Sequence, residues 1–220
     1  MPTPDSLAQI ASEVSACTRC ALHKTRTKAV PGEGPQQAEI MLIGEGPGFN
    51  EDQQGRPFVG QAGQFLEQLL ALAGLKRSDV WIGNVVKCRP PNNRDPLPEE
   101  LQACHAYLER QIAVLNPKII VTLGRFSMGK FFPTARISAI HGQMRRVGER
   151  FVIAMFHPAA ALHNPTYLPL IKQDFARLPE LLETARRELA QATPHPSMLA
   201  EPQPRYETSK DDSPKQMRLF

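Results

Sequence analysis

The stretch EIMLIGEGPG, residues 39–48, decides the fold of this chain. Its first half is a short apolar run, which is typical of a buried β-strand, and its second half is a glycine-rich turn. An apolar run without alternation indicates a strand covered on both faces, as in a parallel sheet with helices on either side. We therefore predict a strand over Glu39–Gly44 and a turn at the carboxyl edge of a parallel sheet.

Strand-like and helix-like patterns alternate along the rest of the chain. Similar apolar runs recur three more times, and between them apolar residues recur at the spacing of an α-helix. This alternation predicts an α/β sandwich around a central four-stranded parallel sheet. The further strands are expected at Val80–Val86, Lys118–Leu123 and Phe151–Phe156, and the main helices at Ser6–Ala16, Val59–Leu75, Glu99–Leu115 and Tyr167–Ala190.

Composition divides the chain into two parts. Residues 1–192 form the predicted globular domain, whereas residues 193–220 are rich in proline and polar residues, which predicts a disordered tail. No apolar run is long enough to span a membrane, and residues 1–10 lack the pattern of a secretory signal. We expect a cytoplasmic, nucleoid-associated monomer. The net charge of +4 is a weak indication of a polyanionic partner.

Polar side chains follow three of the predicted strands. Glu45 follows the first strand, Asn84 lies at the end of the second, and His157 follows the fourth. Ligands of open parallel sheets bind at the carboxyl ends of the strands, so we expect a site there. Each residue alone has an ordinary structural explanation, and their convergence on one edge favours binding. The expected site contains Glu45, Gly46, Pro47, Phe58, Asn84 and His157.

Four cysteines are the candidate metal ligands. Cys17 and Cys20 form a C-x-x-C pair, Cys88 follows the second strand, and Cys104 falls within a predicted helix. Four thiolates can complete one tetrahedral shell, and disulfides are not expected in a reducing compartment. The residues alone leave zinc, an iron–sulfur cluster and no metal open, and the C-x-x-C spacing slightly favours zinc.

Three motifs resemble those of family 4 uracil-DNA glycosylases. They are GEGPGFNEDQQGRPFVGQAG at Gly44–Gly63, NVVKCRPPNNR at Asn84–Arg94 and HPAA at His157–Ala160. The resemblance extends from Asp5 to Leu189, and its first motif is long enough to be highly specific. It implies a three-layer α/β/α sandwich. It also implies an enzyme that hydrolyses the N-glycosidic bond of deoxyuridine in DNA, releases uracil and leaves an abasic site for base excision repair.

The resemblance also implies roles for the site residues. Phe58 would stack on the extruded base, Asn84 would pair with O4 and N3 of uracil, and His157 would donate to O2 as negative charge develops there. Glu45 would place the attacking water or stabilise the cationic sugar, and would help to exclude the methyl group of thymine. The four cysteines match the family's ligands for a 4Fe-4S cluster, which reverses the preference for zinc.

Three basic residues flank the proposed base-reading amide. Lys87, Arg89 and Arg94 all lie within ten residues of Asn84 in the sequence. Basic side chains near a DNA-binding site commonly contact phosphates, and such contacts weaken as salt concentration rises. We therefore expect these three side chains to contact the DNA backbone, with an ordinary solvated surface charge as the alternative for each.

The segment QMRLF, Gln216–Phe220, resembles the peptide with which bacterial proteins bind the sliding clamp, QLxLF in its usual form. Gln216, Leu219 and Phe220 would be the clamp-binding residues. Tethering to the clamp would raise the local concentration of the enzyme near replicating DNA. A chance match of five residues is the alternative.

Two further functions compete with the glycosylase hypothesis. The first is a non-catalytic DNA-binding module held together by an iron–sulfur cluster or by zinc. The second is a ferredoxin-like redox protein, which fits poorly because the four cysteines lack the compact spacing of electron carriers. Release of uracil from DNA distinguishes the enzyme from both alternatives.

Overall fold

The computed structural model describes residues 5–192, which form one central sheet with helices on both faces. Residues 1–4 and 193–220 lie outside the described part, and with them the predicted tail and its clamp-binding segment. None of the helices in residues 5–192 has the length and apolar character needed to cross a bilayer. The helices are α1 (Leu7–Ala16), α2 (Phe49–Gln54), α3 (Gln61–Leu72), α4 (Pro98–Leu115), α5 (Arg125–Phe131), α6 (Ile137–Ile140), α7 (Pro158–His163), α8 (Tyr167–Ala176) and α9 (Leu178–Gln191). The strands are β1 (Ile40–Gly44), β2 (Trp81–Asn84), β3 (Ile119–Leu123), β4 (Met144–Val147) and β5 (Arg150–Met155).

The sheet has the strand order β2-β1-β3-β5-β4. Strands β1, β2, β3 and β5 are parallel, and β4 pairs with β5 in the antiparallel sense. The predicted fold with four parallel strands is confirmed, and the structure adds a fifth strand at one edge. The chain passes from β1 to β2 on one side and then to β3 on the other, so the order reverses at β1. The carboxyl end of β1 is therefore where a ligand is expected to bind.

Both faces of the sheet are buried. Ile40 and Leu42 pack into one apolar layer, and Met41 and Ile43 pack into the other, because successive side chains of a strand point to opposite faces. Helices α3, α8 and α9 contribute to the first layer, and α4 and α5 contribute to the second. This double coverage explains the strands' apolar sequences and confirms the three-layer arrangement.

The two edges of the sheet are closed in different ways. At one edge, β4 presents the exposed side chains of Arg145 and Arg146. At the other, Glu33 forms a bridge to Ile82 of β2, with backbone hydrogen bonds of 2.9 and 2.7 Å. Strand β4 was not predicted because two of its four residues are exposed and none is fully buried, so no apolar run marks it.

The last helical region differs from its prediction. One helix was expected over Tyr167–Ala190, and this is wrong because the structure has α8 and α9 with a break at Arg177. Pro179 lies in the first turn of α9, where a residue without a backbone N–H is tolerated. In a helix interior the same proline would remove a hydrogen bond, so the helix restarts at this point.

Helix α1 lies against α4 and delivers the first cysteine pair. Ile10 and Val14 of α1 form a small buried cluster with Tyr107 of α4. Arg110 of α4 also forms ion pairs with Asp5 and Glu13. These contacts fix the end of α1, where the following Cys17 is the C-cap residue.

Candidate active site

Three of the predicted site residues meet above Gly44, the last residue of β1. The ring of Phe58 stacks on the imidazole of His157, with 5.5 Å between ring centroids and 27° between planes. A Cβ atom at Gly44 would lie 2.7 Å from Cζ of Phe58 and closer still to Oδ1 of Asn84. Only glycine therefore lets the aromatic ring and the amide approach each other here.

Asn84 presents a buried amide oxygen to this meeting point. Its side chain is 2% exposed, and Oδ1 has no hydrogen-bond partner within residues 5–192. The loop after β2 is tied to the loop after β1, because the amides of Val85 and Val86 donate to the carbonyls of Gly44 and Glu45 at 3.0 and 3.1 Å. A buried acceptor without a partner is costly, so this oxygen is suited to receive a hydrogen bond from a ligand.

His157 is held as a neutral hydrogen-bond donor. It is the N-cap residue of α7, and its Nδ1 accepts a hydrogen bond of 3.1 Å from the amide of Ala159. Because Nδ1 accepts, the neutral ring carries its hydrogen on Nε2. Burial lowers the pKa of His157 to about 4, so the ring is uncharged at neutral pH. The free Nε2–H can then donate to a ligand.

Glu45 lies on the tight turn that follows β1. Its carboxyl group is half-buried, and burial raises its pKa above the ordinary value. The carboxylate of Asp95 adds to this rise, and the guanidinium of Arg125, which pairs with Asp95, opposes it. The turn is closely packed, since Pro47 is buried and a Cβ atom at Gly46 would lie 2.7 Å from Val86. We call Glu45, Gly46, Pro47, Phe58, Asn84 and His157 the edge site.

The backbone of Phe58 is held from two sides. Its φ angle is +51°, which is uncommon for a residue with a side chain. Arg77 donates to the carbonyl oxygens of Pro57 and Phe58, the latter at 3.0 Å. Glu51 accepts hydrogen bonds of 2.9 and 2.8 Å from the two amides that follow Phe58. Arg77 could not be expected from the sequence, because its partners are backbone carbonyls about twenty positions away. Glu51 lies inside the first motif, but no role for it was predicted.

The structure brings the four cysteines to one place. They line one cavity, which we call the cysteine cavity. Burial raises the pKa of Cys104 to about 11 and also raises that of Cys88, although Arg26 donates to the Cys88 sulfur at 3.0 Å. Within residues 5–192 no three cysteine, histidine or acidic side chains are placed to hold a single metal ion. Four nitrogen-containing side chains also line the cavity: Arg19, His23, Arg26 and Lys87.

Lys87 does not lie on the protein surface, so its predicted role as a phosphate contact is wrong. Its side chain is 1% exposed. The ammonium group donates to the backbone oxygen of Asn84 at 2.8 Å and to Oε1 of Gln111 at 2.7 Å. Burial lowers the pKa of Lys87 to about 8. Lys87 therefore connects the cysteine cavity, which it lines, to the edge site.

The other two basic residues have different surroundings. Arg94 forms two hydrogen bonds with the carboxylate of Glu100, at 2.6 and 2.9 Å. Arg89 lies over the ring of Phe49, with 5.1 Å between the guanidinium carbon and the ring centroid, and donates to Asn93 at 2.7 Å. Arg89 is thus the better placed of the two to contact a ligand outside the protein.

Comparison with known proteins confirms the family suggested by the motifs. A family model described as the uracil DNA glycosylase superfamily matches residues 31–189. The chain is 49% identical over 195 residues to the type-4 uracil-DNA glycosylase of Sulfurisphaera tokodaii, across 83% of this chain and 88% of that one. It is 46% identical over 186 residues to the type-4 enzyme of Archaeoglobus fulgidus, across 80% and 94%. It is 37% identical over 116 residues to the type-5 uracil-DNA glycosylase of Thermus thermophilus, across 46% and 52%. This chain belongs to the uracil-DNA glycosylase superfamily.

Proposed function

We propose that the protein hydrolyses the N-glycosidic bond of deoxyuridine in DNA, releasing uracil and leaving an abasic site. The observation that carries this proposal is the buried, unpaired Oδ1 of Asn84 beside the ring of Phe58. Uracil offers an N3–H donor, the partner that Oδ1 lacks among residues 5–192, and a flat face that can stack on the ring of Phe58. The type-4 names of the similar proteins support the same activity.

Asn84 would select uracil by its hydrogen-bonding edge. The amide oxygen accepts from N3–H, and the amide nitrogen donates to O4. Cytosine has an acceptor at N3 and a donor at the neighbouring exocyclic position, so both contacts would be mismatched. A site built around paired polar groups rejects such analogues strongly, because the mismatch leaves buried groups unsatisfied.

Phe58 would hold the base after it leaves the DNA stack. A glycosylase must extrude its target nucleotide into a pocket, and the extruded base loses its stacking partners. Stacking on an aromatic side chain restores about 1–3 kcal/mol of that loss. The turn at Phe58, fixed by Arg77 and Glu51, keeps the ring in position before the base arrives.

His157 would stabilise the departing base. Cleavage of the N-glycosidic bond leaves the electron pair on uracil, so negative charge develops at O2. The Nε2–H of a neutral imidazole can donate to that oxygen, in the manner of an oxyanion hole. Because burial holds the pKa of His157 at about 4, the ring acts as a donor without first needing to lose or gain a proton at neutral pH.

Glu45 would act on the sugar side of the reaction. The sugar becomes cationic as the bond breaks, and a carboxylate close to it lowers the energy of that state. The same carboxylate can orient the water that attacks the anomeric carbon. Glu45 performs both tasks only when ionised, so its raised pKa sets the lower pH limit of the reaction.

The cysteine cavity is the proposed site of a 4Fe-4S cluster, held by Cys17, Cys20, Cys88 and Cys104. Four thiols around one cavity are a suitable donor set, and the nearby cations suit an anionic cluster. The match between these four cysteines and the family's cluster ligands favours the cluster over zinc. When bound, the cluster supplies a cross-link between α1, the loop after β2 and α4.

The segment Gln216–Phe220, outside the described residues, is proposed to bind the DNA sliding clamp. Deleting these five residues is expected to abolish clamp binding in a pull-down with purified clamp. Uracil release from short oligonucleotides should be unchanged, because no clamp is present in that reaction. Clamp binding that survives the deletion would contradict the assignment.

The test of the function is uracil release by the anaerobically purified protein. Oligonucleotides carrying uracil, thymine or cytosine at one position are compared in single- and double-stranded form. We expect release of uracil alone, and a loss of about 10²–10³-fold in kcat/KM for Asn84→Leu. Gln102→Leu, which replaces an exposed amide on α4, is the control and should match the unaltered protein. No release from either substrate form would overturn the proposal in favour of a DNA-binding module.

A further inference from the structure

Phe49 is an apolar side chain exposed beside the edge site. It begins α2 and is 56% exposed, more than any other large apolar residue in the described part of the chain. A single exposed apolar side chain is ordinary, so exposure alone implies nothing. The position of Phe49 is informative, because it follows Pro47 of the edge site by two residues. Consecutive Cα atoms are 3.8 Å apart, so the Cα atoms of these two residues lie within about 7.6 Å of each other.

Arg89 adds a positive charge to this aromatic ring. Its guanidinium carbon lies 5.1 Å from the ring centroid, a cation–π distance. The loop that carries Arg89 is restrained, because Pro90 and Pro91 follow it directly and Asn93 accepts a hydrogen bond from Nε. A flat ring and a flat cation are therefore presented together on the surface. We call Phe49 and Arg89 the rim platform.

The two loops of the rim platform are also the loops of the edge site. Phe49 continues the turn that carries Glu45, and Arg89 continues the loop that carries Asn84. These loops lie against each other, since a Cβ atom at Gly46 would be 2.7 Å from Val86 and 3.8 Å from Pro90. A uracil held in the edge site stays bonded to its strand. Its neighbouring nucleotides are therefore within reach of this part of the surface.

We propose that the rim platform binds a nucleotide next to the uracil on the same strand, with its base stacked on Phe49 and its phosphate near Arg89. This inference rests on the proposed function and adds a second nucleotide subsite to it. Aromatic side chains paired with cations are suited to single-stranded nucleic acid, because every base has a face that can stack. The subsite is accordingly expected to accept any base and to require only that a base be present.

The experiment combines protein variants with substrates that lack one base. Phe49→Ala, Phe49→Trp and Leu72→Ala are compared on a single-stranded oligonucleotide with one uracil. They are then compared on oligonucleotides carrying an abasic spacer directly 5′ or directly 3′ to the uracil. Leu72 is the matched control because it is 52% exposed and lies far from the edge site in the fold. It ends α3, and the chain then enters β2 at its amino end, opposite the carboxyl ends of the strands.

On the intact substrate we expect Phe49→Ala to lower kcat/KM for uracil release about five-fold or more, the lower end of measured stacking effects. Phe49→Trp should retain activity, and Leu72→Ala should have no effect. On one of the two spacer substrates the difference between Phe49→Ala and the unaltered protein should disappear, because the base that stacks is absent. Arg89→Gln should reduce the salt dependence of DNA binding by the equivalent of about one phosphate contact.

Two results would overturn the subsite. One is a Phe49→Ala variant that behaves like Leu72→Ala on the intact substrate. The other is a loss that persists on both spacer substrates, which would mean that Phe49 acts on the edge site or on a protein partner. Fluorescence anisotropy with uracil-free oligonucleotides separates this inference from the proposed function. Weaker binding by Phe49→Ala would support the subsite even if no uracil were released.

Discussion

The edge site and the cysteine cavity are built in opposite ways. Apart from Phe58, the edge site lies at the ends of strands of one sheet, and backbone hydrogen bonds join the turns after β1 and β2. The cysteine cavity joins parts of the chain that are far apart, and it depends on side chains such as Arg26, which reaches both Cys88 and the carbonyl of Ser15. The family model covers residues 31–189 and so includes the whole edge site but leaves out Cys17 and Cys20.

This difference indicates which region carries the reaction and which carries the fold. Changes at the polar residues of the edge site should affect the reaction more than stability, whereas Phe58, which is 5% exposed and packs in the first apolar layer, also contributes to stability. Changes at the cysteine cavity should affect stability first, and the reaction only as a consequence. Lys87 is the exception, because it contacts both regions.

The largest effect is expected for a cysteine. Cys88→Ala should remove the proposed cluster and destabilise the protein by more than about 4 kcal/mol, as loss of a metal site commonly does. Iron and sulfide content and the thermal unfolding midpoint measure this. Val14→Ala is the control, since Val14 lines the same cavity but supplies no ligand. Full iron content with an unchanged midpoint in Cys88→Ala would contradict the assignment.

Lys87→Met tests whether the two regions are coupled. The variant leaves two buried acceptors, on Asn84 and Gln111, without their donor, and each unpaired group costs about 1–3 kcal/mol. We expect lower stability together with a ten- to hundred-fold loss of kcat/KM, on the order expected for a displaced base-reading group. Adding Gln111→Leu removes one unpaired acceptor but also the donor to the carbonyl of Pro31, which Gln111 contacts at 2.7 Å, so it should restore neither the stability nor the kinetics. Restored kinetics would mean that Lys87 does not position Asn84.

Arg77→Met should affect the reaction through the backbone of Phe58, although Arg77 also pairs with Glu33 and Glu67. It removes hydrogen bonds to the carbonyls of Pro57 and Phe58, and we expect about a ten-fold loss of kcat/KM. Arg56→Met is the matched control, because Arg56 also pairs with Glu33 but, within residues 5–192, its side chain makes no hydrogen bond to the Phe58 turn. In the Phe58→Ala background the effect of Arg77→Met should vanish. Additive losses would indicate a general structural role for Arg77.

The smallest effect is a shift in pH dependence. Burial and the charge of Asp95 raise the pKa of Glu45, and Glu45 acts when ionised, so activity should fall as pH drops through that raised pKa. Asp95→Asn removes the repulsion and leaves Arg125 to favour the carboxylate, so the fall should move to lower pH. Profiles of kcat/KM measured between about pH 4 and 8 report this limb. An unchanged profile would show that Asp95 does not influence Glu45.

The sequence predicted the parts of the molecule that depend on burial within the sheet. The parallel strands have continuous apolar runs because both faces are covered, and the residues that end them converge on one edge. The same logic failed for β4, whose two exposed arginines give no apolar signal and whose pairing depends on β5. A strand at a sheet edge is stabilised by its neighbour more than by its own sequence.

The site residues divide in the same way. Glu45, Asn84 and His157 lie at or just after the ends of parallel strands. Their common location could therefore be expected from the order of strands and helices along the chain. Lys87 could not be placed, because a lysine between Val86 and Cys88 gives no indication that its ammonium group is buried between two carbonyl oxygens. Arg77 was missed for a related reason. Its partners are backbone atoms, which have no signature in the sequence.

The two edges of the sheet have a consequence for self-association. An exposed edge strand offers unpaired backbone groups to a second chain and can start aggregation. Here the Glu33 bridge covers part of β2, and β4 carries Arg145 and Arg146, whose like charges would face each other in an edge-to-edge pairing of two copies. Pairing with the sheet of a second chain is thus opposed at both edge strands, β2 and β4. We therefore expect pairing of two sheets through these edges to be disfavoured even in a concentrated solution.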